Sequence, residues 1–344
     1  NGWVAQDAYS YSLNYFYEDY KGVDQEKSND FQSYSELFNG NIGGMITDLK
    51  HFGASGIQGM KYSYDQLHRI HLAEHVQDMG SGTWSPTQKY KSLYSFDKNG
   101  NMLTLERRDD QSVVMDDFEY TYYSNSNKLM NTDGSAIANY KYDASGNLIS
   151  DETENIESID WTATGKIKRA VMDDQSQVIY VYDSYGNRVS KTVINGTEVK
   201  KTAYVRDASG SIMAMYENTS IVERPIYGKS RLGSYKGVNK PGTWMMGLKS
   251  FELSNHLGNV LTVVTDQKVG VDADAVANTI EFFEPTILVA TDYYPFGLAM
   301  SARNYSSETY RFGFNGMELL CGLRLAEWVA AGTWIAVAKR IGLR

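Results

Sequence analysis

The sequence predicts an all-β fold, tandem β-hairpin repeats joined into a winding sheet that forms a fragment of a shell. Three observations predict it. A short aromatic–Asp unit recurs along the chain, its turns fall about twenty residues apart, and the composition favours strands. The 344 residues include 26 Tyr, 12 Phe and 6 Trp, with 30 Gly and only 5 Pro. Flat rings pack well across a pleated surface. With so little proline, reversals fall to Gly, Asn, Asp and Ser, which start turns or tolerate positive φ.

The unit reads aromatic, Asp or Asn, two variable residues, Gly, a polar residue, then an apolar one. Its clearest copies are Phe96-Asp97-Lys98-Asn99-Gly100-Asn101-Met102, Tyr142-Asp143-Ala144-Ser145-Gly146-Asn147-Leu148 and Tyr182-Asp183-Ser184-Tyr185-Gly186-Asn187-Arg188. Looser copies begin at Tyr64, Tyr123, Trp161, Arg206 and Ser254. Their turn positions fall at His68, Gly100, Asn127, Gly146, Gly165, Gly186, Gly210 and Gly258. The middle spacings are 19, 19, 21 and 24 residues, and the outer ones 32, 27 and 48. A period near twenty fits two strands of about six residues and two turns.

Each position of the unit has a reason. The Asp side chain of Asp97, Asp143, Asp183 or Asp207 can accept from its own backbone two residues on and so start a turn. The Gly supplies positive φ, where a Cβ costs roughly 1–2 kcal/mol and Asn is penalised least. Between turns, Val178, Tyr180 and Tyr182 alternate with Ile179 and Val181. Asn195-Gly196 is a strong hairpin signal, and Thr132-Asp133-Gly134-Ser135 a second. Helical periodicity is hard to find before residue 317. Several strands are apolar on both faces, and edge-to-edge pairing of hairpins is expected to cover much of that surface.

The bulk numbers narrow the function. A net charge of −9 argues against a phosphate-binding surface, so no nucleic-acid partner is expected. The single cysteine, Cys321, excludes an internal disulfide. No apolar stretch reaches the ~18 residues needed to span a bilayer. The opening Asn1-Gly2-Trp3 reads as an internal piece of a longer chain, whose leader would lie upstream.

These residues resemble a known family. The Tyr-Asp units are similar to the YD repeats of RHS (rearrangement hotspot) and teneurin-type proteins. Leu253-Ser254-Asn255-His256-Leu257-Gly258-Asn259-Val260 resembles a stretch near the end of such arrays. Asp292-Tyr293-Tyr294-Pro295-Phe296-Gly297 and Tyr310-Arg311-Phe312-Gly313-Phe314-Asn315-Gly316-Met317-Glu318 resemble the onset of the RHS repeat-associated core domain, in wording closest to Bacteroidota versions. The likeness covers residues from about 7 to 325. It implies a hollow β-shell of a polymorphic toxin or surface protein, secreted or in the cell envelope. Asn255, His256, Gly258, Asn259, Tyr294, Pro295, Phe296, Gly297, Arg311, Phe312, Asn315 and Gly316 carry its core motifs. The partners it implies are the remaining repeats and a C-terminal cargo, with a target-cell surface as a further one. Toxin members cut themselves at an Asp-Pro segment after the core. None of Pro86, Pro225, Pro241, Pro285 or Pro295 follows an Asp, so no catalytic residue is carried over.

The pattern divides the chain into divergent N-terminal repeats with insertions (1–89), a regular array (90–250), a partial core domain (251–318) and an atypical tail (319–344). In the tail Met317-Glu318 jumps to Leu319-Leu320-Cys321, and Trp328, Trp334, Lys339 and Arg340 follow no family pattern. A deletion with frameshift, or a fragmentary gene, is the expectation there.

Other constellations have simpler explanations. His68, His71 and His75, with Glu74 between the last two, are the metal candidates. On a strand His71 and His75 stand roughly 13 Å apart, too far to share an ion, and the zinc-protease spacing is missing. The pairs Asp109-Asp110, Asp116-Asp117 and Asp173-Asp174 lack EF-hand spacing and read as turn or loop residues, as do Asp272 and Asp274. Cys321 has no His assigned near it to make a nucleophile. The Tyr-rich strands offer stacking surfaces for glycans, though core packing accounts for them more simply. The apolar tail from Trp328 to Val337 suits at most membrane contact. The expected function is therefore structural, without a cofactor and without catalysis. The alternatives are a surface binding module for glycans or proteins, and a self-cleaving toxin precursor.

Overall fold

Reversals every twenty residues leave no room for long helices, and the chain runs up and down. A computed structural model describes residues 5–16, 19, 36–79, 84–237, 245–272, 280–307 and 310–313. No α-helix occurs among them. Eight strands form a first sheet, from Tyr9–Asn14 to Val114–Glu119. The short strands Thr121–Tyr122 and Leu129–Asn131 form a ribbon. Fourteen strands, from Tyr140–Tyr142 to Ala299–Ser306, form a second sheet in unbroken sequence order. Pairing is antiparallel throughout both sheets. The expected division at 89/90 falls within the first sheet, and the one at 250/251 within the strand Lys249–Ser254 of the second.

The turn unit also shapes the sheet. Where a turn closes, the register slips by a residue: at Ser63/Tyr64, Ser95/Phe96, Lys141/Tyr142, Asp160/Trp161 and Val181/Tyr182. Each slip is a bulge, and bulges raise the right-handed twist of the strands they join. Repeated at successive hairpins, the twist makes the sheet wind.

One interior runs through all three pieces. Tyr94 and Met102 of the first sheet, Tyr120 and Leu129 at the ribbon, and Tyr140 and Tyr180 of the second sheet belong to a single buried cluster. The strand Gln177–Tyr182 shows the alternation, with Val178 and Tyr180 buried and Val181 half exposed. The expectation that pairing covers the second apolar face needs correction. Val181, Val205 and Met213 remain exposed, because edge-to-edge pairing hides backbone edges and leaves side-chain faces open.

The last hairpin, Phe282–Tyr293 with Ala299–Ser306, returns to the start of the chain. Ala5 makes a parallel bridge to Phe283, and the Gln6 N–H donates to the Phe283 carbonyl at 2.8 Å. The hairpin covers the face of the first sheet that carries Thr47, Gln58 and Met60.

Candidate functional site: the turn spine and the closing seam

The acidic residue of each unit organises its turn. At Asp97 one carboxylate oxygen accepts from the Asn99 and Asn101 N–H groups at 2.8 Å each, and the other from the Asn101 side-chain amide at 2.8 Å. The Gly100 N–H donates to the Asp97 carbonyl at 3.2 Å, with Gly100 at φ 92°. Asp143, Asp183 and Asp207 repeat the backbone arrangement, with Gly146, Gly186 and Gly210 at φ 89°, 79° and 88°. Asn255 does the same with its side-chain oxygen, and Gly258 has φ 80°. Thr162 stands in for Asp before Gly165, its hydroxyl accepting from the Lys166 N–H at 3.0 Å with Gly165 at φ 71°. The Asn147 side-chain amide, followed by its backbone N–H, holds the Asp143 carboxyl below its usual range.

Successive turns are stitched together. Arg69 donates to the Asp97 carbonyl at 2.8 Å, Asn101 to the Asn127 side chain at 3.0 Å, and Arg206 to the Arg188 carbonyl at 3.0 Å. Lys166 reaches the Gly186 carbonyl and lies over the Tyr182 ring at 5.5 Å. The turns therefore form a spine along one edge of the sheets.

Several expectations are corrected here. The positive-φ residue of the Tyr123 turn is Asn125 (φ 54°), not Asn127, because this loop opens one residue earlier, at the aromatic itself, with the Tyr123 N–H on the Lys128 carbonyl and the Ser126 N–H on the Tyr123 carbonyl. Two turns escaped the pattern: Asp109 with Ser112 at φ 68°, and Met172–Ser176 with Gln175 at φ 67°. Asp116 and Asp117 sit inside a strand rather than a loop, Asp116 paired with buried Arg107 at 2.7 Å. Asp174 does turn duty, accepting from the Ser176 N–H at 2.9 Å. The hairpin at Asn195 pairs Asn195 with Glu198 and puts Gly196 (φ 58°) first in the loop. Thr132-Asp133-Gly134-Ser135 closes no simple hairpin; Asp133 bridges Glu119 in parallel and the Gly134 N–H donates to the Glu119 carbonyl.

The histidines separate. His68 occupies a turn at φ 61°, His71 is exposed, and His75 is buried with its Nδ1 2.7 Å from the Thr87 hydroxyl. Among the described residues no three His, Cys, Asp or Glu side chains converge to hold a metal. Asp272 ends the described part of its loop. Asp274, Asn315, Gly316, Cys321 and the tail from 319 lie outside the described residues.

The core-motif residues gather where the last hairpin meets the first sheet. Tyr294-Pro295-Phe296-Gly297 forms the tip of that hairpin, with Phe296 at φ 68° and Gly297 at φ 93°. The Phe296 ring meets Tyr94 edge-on at 5.2 Å, and the Tyr294 hydroxyl donates to the Arg108 carbonyl at 2.6 Å. Beside the tip lies the seam. Arg303 Nε and Nη2 both stand 2.6 Å from one oxygen of Asp292, and Nη2 also donates to the Gly56 carbonyl at 2.7 Å. The Thr47 hydroxyl donates to the other Asp292 oxygen at 3.1 Å. Burial pushes the Asp292 carboxyl up, against the pull of Arg303 and Thr47. At the rim Lys50 pairs with Glu284 at 3.2 Å.

A cavity of about 270 Å³ opens beside the seam, walled by Tyr62, Tyr64, Tyr293 and Pro295, with His256 and Asn259 of the Asn255 turn on its other side. Farther along, Arg311 links Glu217 at 2.6 Å and buried Glu223 at 3.3 Å, and Phe312 lies under Arg231 at 3.6 Å. These groups join strands that lie far apart in the sequence. No helix among the described residues is long and apolar enough to cross a membrane.

No family model matches the chain, and no curated protein sequence matches it. Solved structures do. TcdB2-TccC3 without its hypervariable C-terminal region superposes with a TM-score of 0.58 at 14% identity, covering 83% of this chain and 14% of that one. TcdB2-TccC3-Cdc42 gives 0.57 at 13% identity over the same shares, 83% and 14%. The Photorhabdus luminescens Tc holotoxin pore gives 0.53 at 14% identity, over 84% and 16%. The chain thus spans 14–16% of the length of these structures. At this identity the likeness is one of fold, and the fold is the RHS-like winding sheet of toxin-complex chains.

Proposed function

We propose that the chain is a length of wall in a secreted or cell-envelope toxin-type protein, enclosing or presenting a C-terminal cargo. The observation that carries this reading is the return of the last hairpin to the first sheet, which bends the strand array around instead of leaving it a flat ribbon. Likeness to toxin-complex chains over 83% of the length supports the same role. In this reading the chain catalyses nothing, and its partners are neighbouring repeats and the cargo. A glycan-binding role would rest on exposed rings such as Tyr185 and Tyr227, since Tyr94, Tyr120, Tyr140, Tyr180 and Tyr204 are buried.

The test is a protease challenge of the full-length parent protein, followed by mass spectrometry. The wall reading expects cargo peptides to survive while the wall is intact, and no cut shortly after residue 318 before protease is added. Cargo digested as fast as free cargo would remove the enclosing role. A spontaneous cut after residue 318 would favour a self-cleaving precursor.

A further inference from the structure

The seam contains a histidine that its holding role does not require. His75 lies on the strand Ile70–Asp78, 7% exposed, on the face that the last hairpin covers. Its Nδ1 is 2.7 Å from the Thr87 hydroxyl, and its ring stands edge-on to Tyr90 at 5.6 Å. Tyr90 in turn donates to the Ser301 carbonyl of the hairpin at 3.0 Å and meets Tyr294 at 6.1 Å. His75 thus sits one ring behind the contact that ties the hairpin to the first sheet, within the field of Arg303.

We propose that His75 makes the seam acid-sensitive, so that its protonation releases the Phe282–Tyr293 and Ala299–Ser306 hairpin from the first sheet while the rest of the array stays folded. The charges around it favour this. Arg303 faces it from the hairpin and Lys89 from the segment after Trp84–Pro86, both cations. Glu74 on its own strand is committed to Lys61 at 3.0 Å. Asp109 and Asp110 act on Tyr90, and Asp292 is held by Arg303. The charges that act on His75 itself are both cations, so a proton there adds a third positive charge to this layer.

Burial, reinforced by Arg303 and Lys89, lowers the His75 pKa to about 4. The closed seam then binds the proton less tightly than the open one, in which His75 titrates near 6.5. Closure is fully stabilised above 6.5 and weakens as the pH falls toward 4. Asp292 acts in the opposite sense, because burial raises its pKa and acid neutralises it in place. The two can be separated by substitution.

Peroxide oxidation of methionines, read by mass spectrometry on the full chain, reads the seam directly, because Met60 and Met300 are each 1% exposed and pack together there. Between pH 7.5 and pH 5, protection of Met60 and Met300 from oxidation should fall on the order of tenfold, with the buried Met102 of the first sheet and Met215 of the second unchanged. In His75→Gln, which keeps a polar contact for Thr87, protection should hold or rise on acidification. Equal loss in His75→Gln and wild type, equal loss across both sheets, or no loss in wild type would each overturn the proposal. Should the variant not fold, imidazole NMR of the wild type decides: titration of His75 below about 5 supports it, and titration near 6.5 overturns it. Wall function need not be assumed, since cargo protection is a separate readout.

Discussion

The regular array from Tyr140 to Tyr235 and the seam between the first sheet and the last hairpin hold together by different means. In the array each strand pairs with its sequence neighbours, and the turns at Asp143, Asp183 and Asp207 are built from a carboxylate, a glycine and backbone amides within five residues. At the seam the partners are far apart in sequence, Thr47 with Asp292 and Gly56 with Arg303, and the central contact is an ion pair under 7% exposed. Local turn chemistry is repeated and redundant. The seam depends on a few buried polar groups, each of which is costly to orphan.

That contrast predicts a steep ordering of mutational effects. Arg303→Met should do the most damage, about 3–5 kcal/mol, because it leaves the Asp292 carboxylate buried without its counter-charge. Denaturant unfolding measures it, and the double variant Arg303→Met/Asp292→Leu should recover much of the loss. If the single variant were no worse than a turn mutation, the seam would not be the special region. Gly146→Val comes next, at roughly 1–2 kcal/mol. Its Cβ would meet only Lys128 Cε at 3.7 Å, so the penalty comes from φ 89° and not from crowding. Gly146→Asn should cost less, and the two variants together separate conformation from space. Lys141→Ala should leave the unfolding midpoint unchanged within error. It removes an ion pair to Glu152 whose two side chains are both more than half exposed, where water and salt screen the attraction.

The same contrast explains what could be read from the sequence. Turns built on Asp and Gly were legible because one residue accepts the amides and another needs its missing Cβ, and both requirements are written within five positions. Turns closed by His68, Ser112 and Gln175 were hidden or weakly signalled, since a single left-handed residue is tolerated when the flanking ladder demands it. Asp116 looked like a loop acid because its partner, Arg107, is nine residues away on the preceding strand. The seam left no local mark. Nothing near Thr47 announces a hydroxyl donor to a carboxylate 245 residues later. Asp292, Tyr294, Phe296 and Arg311 were reached only through their resemblance to a family motif, whose physical content turned out to be long-range docking.

Strict neighbour pairing has a consequence for how the molecule is made. A second sheet in which each strand pairs with the one before it can grow rung by rung as the polypeptide emerges from synthesis, each hairpin nucleated by its own loop. Docking of the Phe282–Tyr293 and Ala299–Ser306 hairpin is different, because it must wait until those strands are made and then reach back to Thr47, 245 residues earlier. Closing the seam should therefore be a slow, non-local step, preceded by an intermediate in which the opening strands still show their inner surface to solvent.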